Sequence, residues 1–418
     1  RYWYDKTAPS AASEEINIFS LHENETIQQA IVAFNRAQTD VLAVYKVAMG
    51  QDANGTEQDY IKALNTELLA QTGPDILVLD GLPVDSYVQK GILAELSGVL
   101  GSVDPLLPNV QKASETTDGK IYAIPTGIRL PLAYADKDTE AIFSSIAALA
   151  DACEASGDVP LLSNAAFNYQ ILAENMLSYY GDGIRNNSEG AVNAFLTNIG
   201  RISKAIGATA ELGEGWQVAQ ASTQEEMLYA MRLNNSGPQI AMTAANRARA
   251  ALLTPMGSLY SGMINLAAAE QLKKELGGIC NTYQPVGIVG INRASQHLDA
   301  ATDFLKMLLS YDVQSGNRFA DQFPVSQKAL EEILHRVDNT VSSGMWIDDT
   351  TSITAEWPSE ETRNMLLTKI ERADVPLATD QTFSDMLTPL VVAYLDGSDT
   401  LETAQGKMES MIATYLAE

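Results

Sequence analysis

From Ile16 the chain alternates apolar and polar positions, Ile16-Asn17-Ile18-Phe19-Ser20-Leu21, and this period of two predicts a strand. Between Asn24 and Asn35 the period lengthens and gathers Ile27, Ala30, Ile31 and Phe34 on one face, which predicts a helix. Val41 to Val47 alternates again, and Gln58 to Ala70 is a second helix that Gly73-Pro74 stops. The apolar run Asp75-Ile76-Leu77-Val78-Leu79 then reads as a short buried strand ending at Asp80-Gly81. This β-α-β-α-β order predicts a parallel sheet flanked by helices. Ligands of open α/β sheets bind at the carboxyl ends of the strands, so the turns after them form a binding edge. Nothing in those turns resembles a nucleophile or a metal cluster.

Farther on, Gly119 to Gly127 reads as a strand ending in proline and glycine, and Arg129 to Tyr134 as a second one carrying Pro131. Proline inside a strand implies an edge or a bend, which suits a crossover between lobes. Helical periods follow at Ile142 to Ser156, Phe167 to Tyr180, Glu189 to Ile206 and Gln224 to Asn234, with a strand expected at Gln239 to Met242. Tyr283 to Asn292 reads as a strand and Leu298 to Leu309 as an amphipathic helix. Thr382 to Leu395 and Leu401 to Leu416 form a terminal helix pair joined at Asp396-Gly397-Ser398.

The length of 418 residues exceeds one ordinary core and implies two or three domains. Acidic residues outnumber basic ones by 53 to 27, a formal charge of −26, and no basic stripe offsets it. That balance argues against nucleic-acid binding and against electrostatic docking on anionic lipid. No apolar run is long enough to span a bilayer. Cys153 and Cys280 have no CxxC partner; two free buried thiols are the expectation, with a disulfide between them the alternative in an oxidising compartment. The chain opens at Arg1 with the aromatic run Arg-Tyr-Trp-Tyr-Asp and a small-residue linker through Ser13, read as the tail of an upstream segment.

Four runs resemble a known family. They are Gly73-Pro74-Asp75-Ile76 with Lys90 to Leu96; Gly119 to Pro125; Gly290 to Ser295 with Ala300 to Leu309 and Phe323-Pro324-Val325; and Leu395 to Glu402. In this order they are similar to the extracellular solute-binding proteins of ABC importers, in the sugar-binding branch typified by maltodextrin binders. The resemblance implies an α/β, two-lobe periplasmic-binding-protein-like fold of type II. Each lobe is a sheet flanked by helices, with a hinge and a cleft between the lobes. It places residues 14–125 with 285–325 in the first lobe and 126–284 with 326–418 in the second, after a linker over 1–13. The implied function is extracytoplasmic capture of a solute, most simply a carbohydrate, by lobe closure. The implied protein is a monomer serving ABC permease subunits, a cell-surface lipoprotein or periplasmic protein, without catalysis, cofactor, metal or nucleic acid. Alternatives on the same fold are a peptide or polyamine cargo, or a sensory ligand-binding module; a glycoside hydrolase is a further rival. The resemblance stops at the pocket, because Leu79 to Pro83 lack the aromatic and charged groups that follow this run in maltodextrin binders.

A sugar site needs aromatic faces and hydrogen-bonding carboxylates or amides. Asp80 is either an acceptor for ligand hydroxyls or a turn cap; His22 and Glu23 stand at the same carboxyl edge or serve a helix start. Arg129 is a ligand fork or a salt-bridge partner. Asn168 and Tyr169 open a helix beside Phe167, which packs in the core. Trp216, Trp346 and Trp357 are loop tryptophans, with Tyr260 and Tyr283 as further rings. The acidic doublets Glu225-Glu226, Glu331-Glu332, Asp348-Asp349 and Glu360-Glu361 read as solvated faces. His22, His297 and His335 are too scattered for a triad or a zinc site. Asp52 to Thr56 is similar to a calcium loop with its glycine misplaced, and Asn24-Glu25-Thr26 and Asn54-Gly55-Thr56 are glycosylation sequons.

Overall fold

The computed structural model describes residues 14–50, 54–211, 236–316, 321–347, 352–377 and 380–417. Expectations for Arg1 to Ser13, Asp52, Trp216, the Gln224 to Asn234 helix and Asp348-Asp349 lie outside the described residues. Twelve strands are described: β1 (Glu14–Ser20), β2 (Val41–Val47), β3 (Ile76–Val78), β4 (Ile124–Arg129), β5 (Leu132–Ala135), β6 (Ala251–Leu252), β7 (Glu275–Gly278), β8 (Thr282–Ile291), β9 (Phe323–Pro324), β10 (Ser342–Trp346), β11 (Ser352–Glu356) and β12 (Val375–Pro376). Two compact units result. One holds the described residues up to Ile128 with Pro285–Ile333, the other Arg129–Gln284 with those from Leu334 onward.

The first unit is built on a sheet ordered β2-β1-β3-β8-β4-β9, with β1 parallel to both β2 and β3 and β8 antiparallel to β3. Alternation sends Ile16 and Ile18 to one face of β1 and Phe19 to the other, where it joins Leu21, Ile61, Leu64, Leu77 and Leu79 in a core. On the first unit's helices, the Phe34 and Phe304 rings meet edge-on at 5.5 Å, between Glu25–Ala37 and Leu298–Leu308. The Gly73-Pro74-Asp75 run now has a physical cause. A Cβ on Gly73 would lie 2.8 Å from Leu68 Cδ2, so glycine lets the chain fold back over the helix it has just left without displacing that side chain. Asp75 is buried, and its carboxylate accepts the Asn17 N–H at 2.8 Å and the Ser295 hydroxyl at 2.6 Å. Asn292 completes the joint by donating its backbone N–H to the Asp75 carbonyl at 2.9 Å and its side-chain amide to the Pro74 carbonyl at 2.9 Å.

In the second unit a sheet ordered β6-β5-β7 lies against a helical core that includes Phe143, Phe167, Leu172, Phe195, Ile199 and Leu387. The expected helix Ile142 to Ser156 is two helices, Thr139–Ile142 and Ile146–Glu154, because Ser145 turns extended and caps the second by accepting the Ala148 N–H. Gln239 to Met242 is not a strand. It lies inside the helix Ser236–Ala244, where the Thr243 hydroxyl bonds back to the Gln239 carbonyl, and so short an apolar run fits either period. Strands β4 and β5 part at Leu130-Pro131, where Leu130 exchanges backbone bonds with Met256. The β10–β11 hairpin had no expectation in the sequence; Ile353 and Ala355 on β11 are buried, while most of β10 is exposed. Both thiols are free, and burial pushes each up to about 12, so neither is a ready nucleophile.

Several helices end on a left-handed residue that is not glycine. After the helix Glu57–Leu69, Gln71 has φ 58°, its N–H bonded to the Leu68 carbonyl and the Thr72 N–H to Glu67. A side chain in that conformation costs about 1 kcal/mol that glycine avoids. Gln71→Gly therefore stabilises the chain by about 0.5 kcal/mol and lifts Tm by roughly 1–2 °C in scanning calorimetry, with a lower Tm contradicting the account.

Candidate functional site

Strands β1, β2 and β3 run parallel, so the turns after Ser20, Val47 and Val78 emerge on one edge of the first unit. The register carries on past the strands: Ala48 and Met49 donate backbone N–H groups to the Ser20 and Leu21 carbonyls. Beneath the edge, the Ser20 hydroxyl donates to the His22 carbonyl at 2.6 Å and meets the Tyr45 hydroxyl at 2.8 Å. The Tyr45 oxygen also accepts the Asn24 N–H at 3.2 Å. Burial pushes the Tyr45 phenol up, and the nearby Asp80 and Glu23 carboxylates push the same way, so it stays neutral. Tyr45 thereby braces the turn that carries His22 and Glu23, a role its place in mid-strand gave no sign of.

Of the edge residues expected from sequence, the structure brings His22, Glu23 and Asp80 together and gives each a different occupation. His22 Nε2 lies 2.7 Å from Glu57 Oε1 on the surface. Glu23 is exposed and has no hydrogen bond or ion pair among the described residues. The Asp80 carboxylate accepts the backbone N–H groups of Gly287 at 2.9 Å and Ile288 at 2.8 Å. Asn24 is the helix cap, its Oδ1 accepting the Ile27 N–H at 3.1 Å.

The second unit holds the remaining candidates. Asn168 is buried and caps the helix Tyr169–Tyr180 through the Ile171 N–H at 2.8 Å, while Tyr169 is half-buried against the helical core. Tyr283, at 1% exposure in β8, is an interior ring. Arg129 ends β4 half-buried. Trp346 is 75% exposed on the open β10 strand. Trp357 is paired with Tyr260, ring centroids 4.9 Å apart and nearly perpendicular. Tyr260 donates its hydroxyl to Asp338 at 3.0 Å, and the Trp357 indole N–H donates to the Arg336 carbonyl at 2.9 Å. That carbonyl also takes Arg363 Nη1 at 2.8 Å; Arg363 is buried and further bonds the Leu334 and Ser359 carbonyls. Asp338 and Arg363 were not anticipated, because Tyr260, Leu334 and Arg336, which they bind, lie 78, 29 and 27 residues away. Among the described residues no cluster of His, Cys, Asp or Glu could hold a metal ion, and no helix is long and apolar enough to cross a membrane.

An α/β chain in two discontinuous units, with polar side chains gathered on a carboxyl edge, has the two-lobed architecture of solute-binding proteins. The chain belongs to the family described as bacterial extracellular solute-binding protein, whose model matches residues 20–315. No curated protein sequence matches it. Solved structures share the fold at low identity. A family 1 extracellular solute-binding protein of Alicyclobacillus acidocaldarius is 17% identical with a TM-score of 0.54, covering 99% of this chain and 100% of its own. The GacH receptor of Streptomyces glaucescens, determined unliganded and with acarbose, is 14% identical with a TM-score of 0.52 over 97% and 99%. The maltose/maltodextrin-binding domain of Bdellovibrio bacteriovorus, bound to maltotriose, is 15% identical with a TM-score of 0.51 over 97% and 100%.

The ring pair depends on its support. Arg363→Ala removes the guanidinium's bonds to three carbonyls, of which Arg336 keeps the Trp357 indole and Ser359 the Arg363 backbone N–H, and costs about 2–4 kcal/mol, whereas Trp357→Phe removes a single indole bond and costs about 1 kcal/mol. Urea unfolding followed by circular dichroism measures both, and equal costs would refute the assignment of Arg363 as the support.

Proposed function

We propose that this protein captures a carbohydrate outside the cytoplasm and hands it to an ABC importer without changing it. The observation that carries the reading is the Tyr260–Trp357 pair with the Tyr260 hydroxyl on Asp338. Apolar ring faces beside a carboxylate supply both kinds of contact a pyranose needs, stacking on its C–H face and hydrogen bonds to its hydroxyls. The exposed Glu23 carboxylate and His22 ring offer further hydrogen bonds on the first unit. Similar proteins determined with acarbose and maltotriose support the same class of cargo. On this reading the protein is a monomer that closes its lobes on one ligand, is held at the cell surface or in the periplasm, and meets a permease in the membrane.

Thermal unfolding against mono- and oligosaccharides, with amino acids and polyamines as controls, tests the proposal. A saccharide at about a hundred times its Kd adds about 2.7 kcal/mol, a rise of several degrees in Tm. Trp357→Ala reduces that rise, and the saccharide is recovered unaltered. Shifts confined to amino acids or polyamines overturn the carbohydrate assignment, and a hydrolysed product overturns the non-catalytic one.

A further inference from the structure

The chain crosses from the second unit into the first at Gln284 and Pro285, two residues before Gly287. Gly287 has φ 60°, a conformation glycine tolerates and other residues rarely adopt. A Cβ there would lie 2.3 Å from Thr126 Oγ1 and 3.1 Å from Asn24 Nδ2, so the backbone is packed as closely as it is bent. Thr126 Oγ1 donates to the carbonyl of Val286 at 3.3 Å, one residue earlier. On the other side the two oxygens of Asp80 take the N–H groups of Gly287 and Ile288, one each. Beyond Ile288 the strand is held by ordinary pairing, Val289, Gly290 and Ile291 lying opposite Val78, Leu77 and Ile76.

We infer that Asp80 is a positioning residue, an anchor that fixes the arriving strand at Gly287 and ends the part of the crossover that can bend. A carboxylate suits this task better than an amide, because two adjacent N–H donors need two acceptor oxygens at once. Bending at this crossing is then absorbed at Gln284 and Pro285, before Thr126 takes the Val286 carbonyl and Asp80 the next two N–H groups. Asp80 spends its oxygens on the backbone it holds, and Glu23 on the same strand edge faces solvent. This goes beyond the carbohydrate reading and does not depend on it.

Hydrogen exchange by mass spectrometry on the full ligand-free chain tests the assignment. Asp80→Asn speeds exchange at Gly287 and Ile288 by about tenfold or more, as expected for loss of a charge-assisted bond, and leaves Val289 to Ile291 at wild-type rates. Wild-type rates at Gly287 and Ile288 in the variant, as a pure ligand contact would give, overturn it; so does equal acceleration along the whole of β8. Should the variant not fold, the wild-type chain still decides, because unprotected Gly287 and Ile288 amides would refute the anchor. A second pair checks the packing: Gly287→Ala lowers Tm, and adding Thr126→Ala restores part of the loss. No recovery would count against the close approach.

Discussion

The buried carboxylate of Asp75 is the constraint on which the first unit depends. A charge withdrawn from water is tolerable only when its oxygens are satisfied, and removing a partner exposes the full desolvation cost. Asn17 comes from β1 and Ser295 from the turn after β8, so satisfying Asp75 fixes β3 between those two strands. A slip of one residue would break both bonds and turn Ile76 and Val78 to the wrong face. Once β1 and β3 are in register, the residues after them have no freedom to be elsewhere. The polar edge is a product of this joint.

The edge divides labour between carboxylates that look equivalent in sequence. Asp80 is used up on backbone N–H groups, while Glu23, on a turn braced by Ser20 and Tyr45, keeps its oxygens in solvent. The second unit makes a similar division among its rings. Tyr283 fills the interior, Trp346 stands exposed, and Trp357 is held at an intermediate depth by an indole bond and a neighbouring tyrosine. Half-buried and fixed rings suit recognition because little freedom remains to be lost when a ligand arrives.

The opening β-α-β-α-β order was legible because each element there has a clean period and a stop signal, such as Gly73-Pro74 after the second helix. The β10 strand was not: Ser342-Ser343-Gly344-Met345-Trp346 has no alternation and exists through pairing with β11. Gln239 to Met242 misled because four residues hold too little of either period. The family was visible from runs that proved structural, Asp75 and Asn292 among them. At the site, sequence could place Asp80 at a strand end, but its partners lie 207 and 208 residues away, beyond any local pattern. The same holds for Arg363, whose carbonyl partners at Leu334 and Arg336 lie on an earlier stretch of chain.

The pairing of β3 with β8 has a consequence for how the chain is made. As synthesis proceeds, β1, β2 and β3 appear first, and the free side of β3 has no neighbour until Val289 to Ile291 have been added. The Asp75 carboxylate waits as long, since Ser295 is 220 residues downstream. Contacts so distant close slowly, and an unpaired apolar strand invites wrong partners meanwhile. The first unit is therefore the earlier to begin on the ribosome and cannot finish until the crossing strand has followed most of the second. A chain with this order leaves the β3 edge and the Asp75 carboxylate waiting through most of its own synthesis.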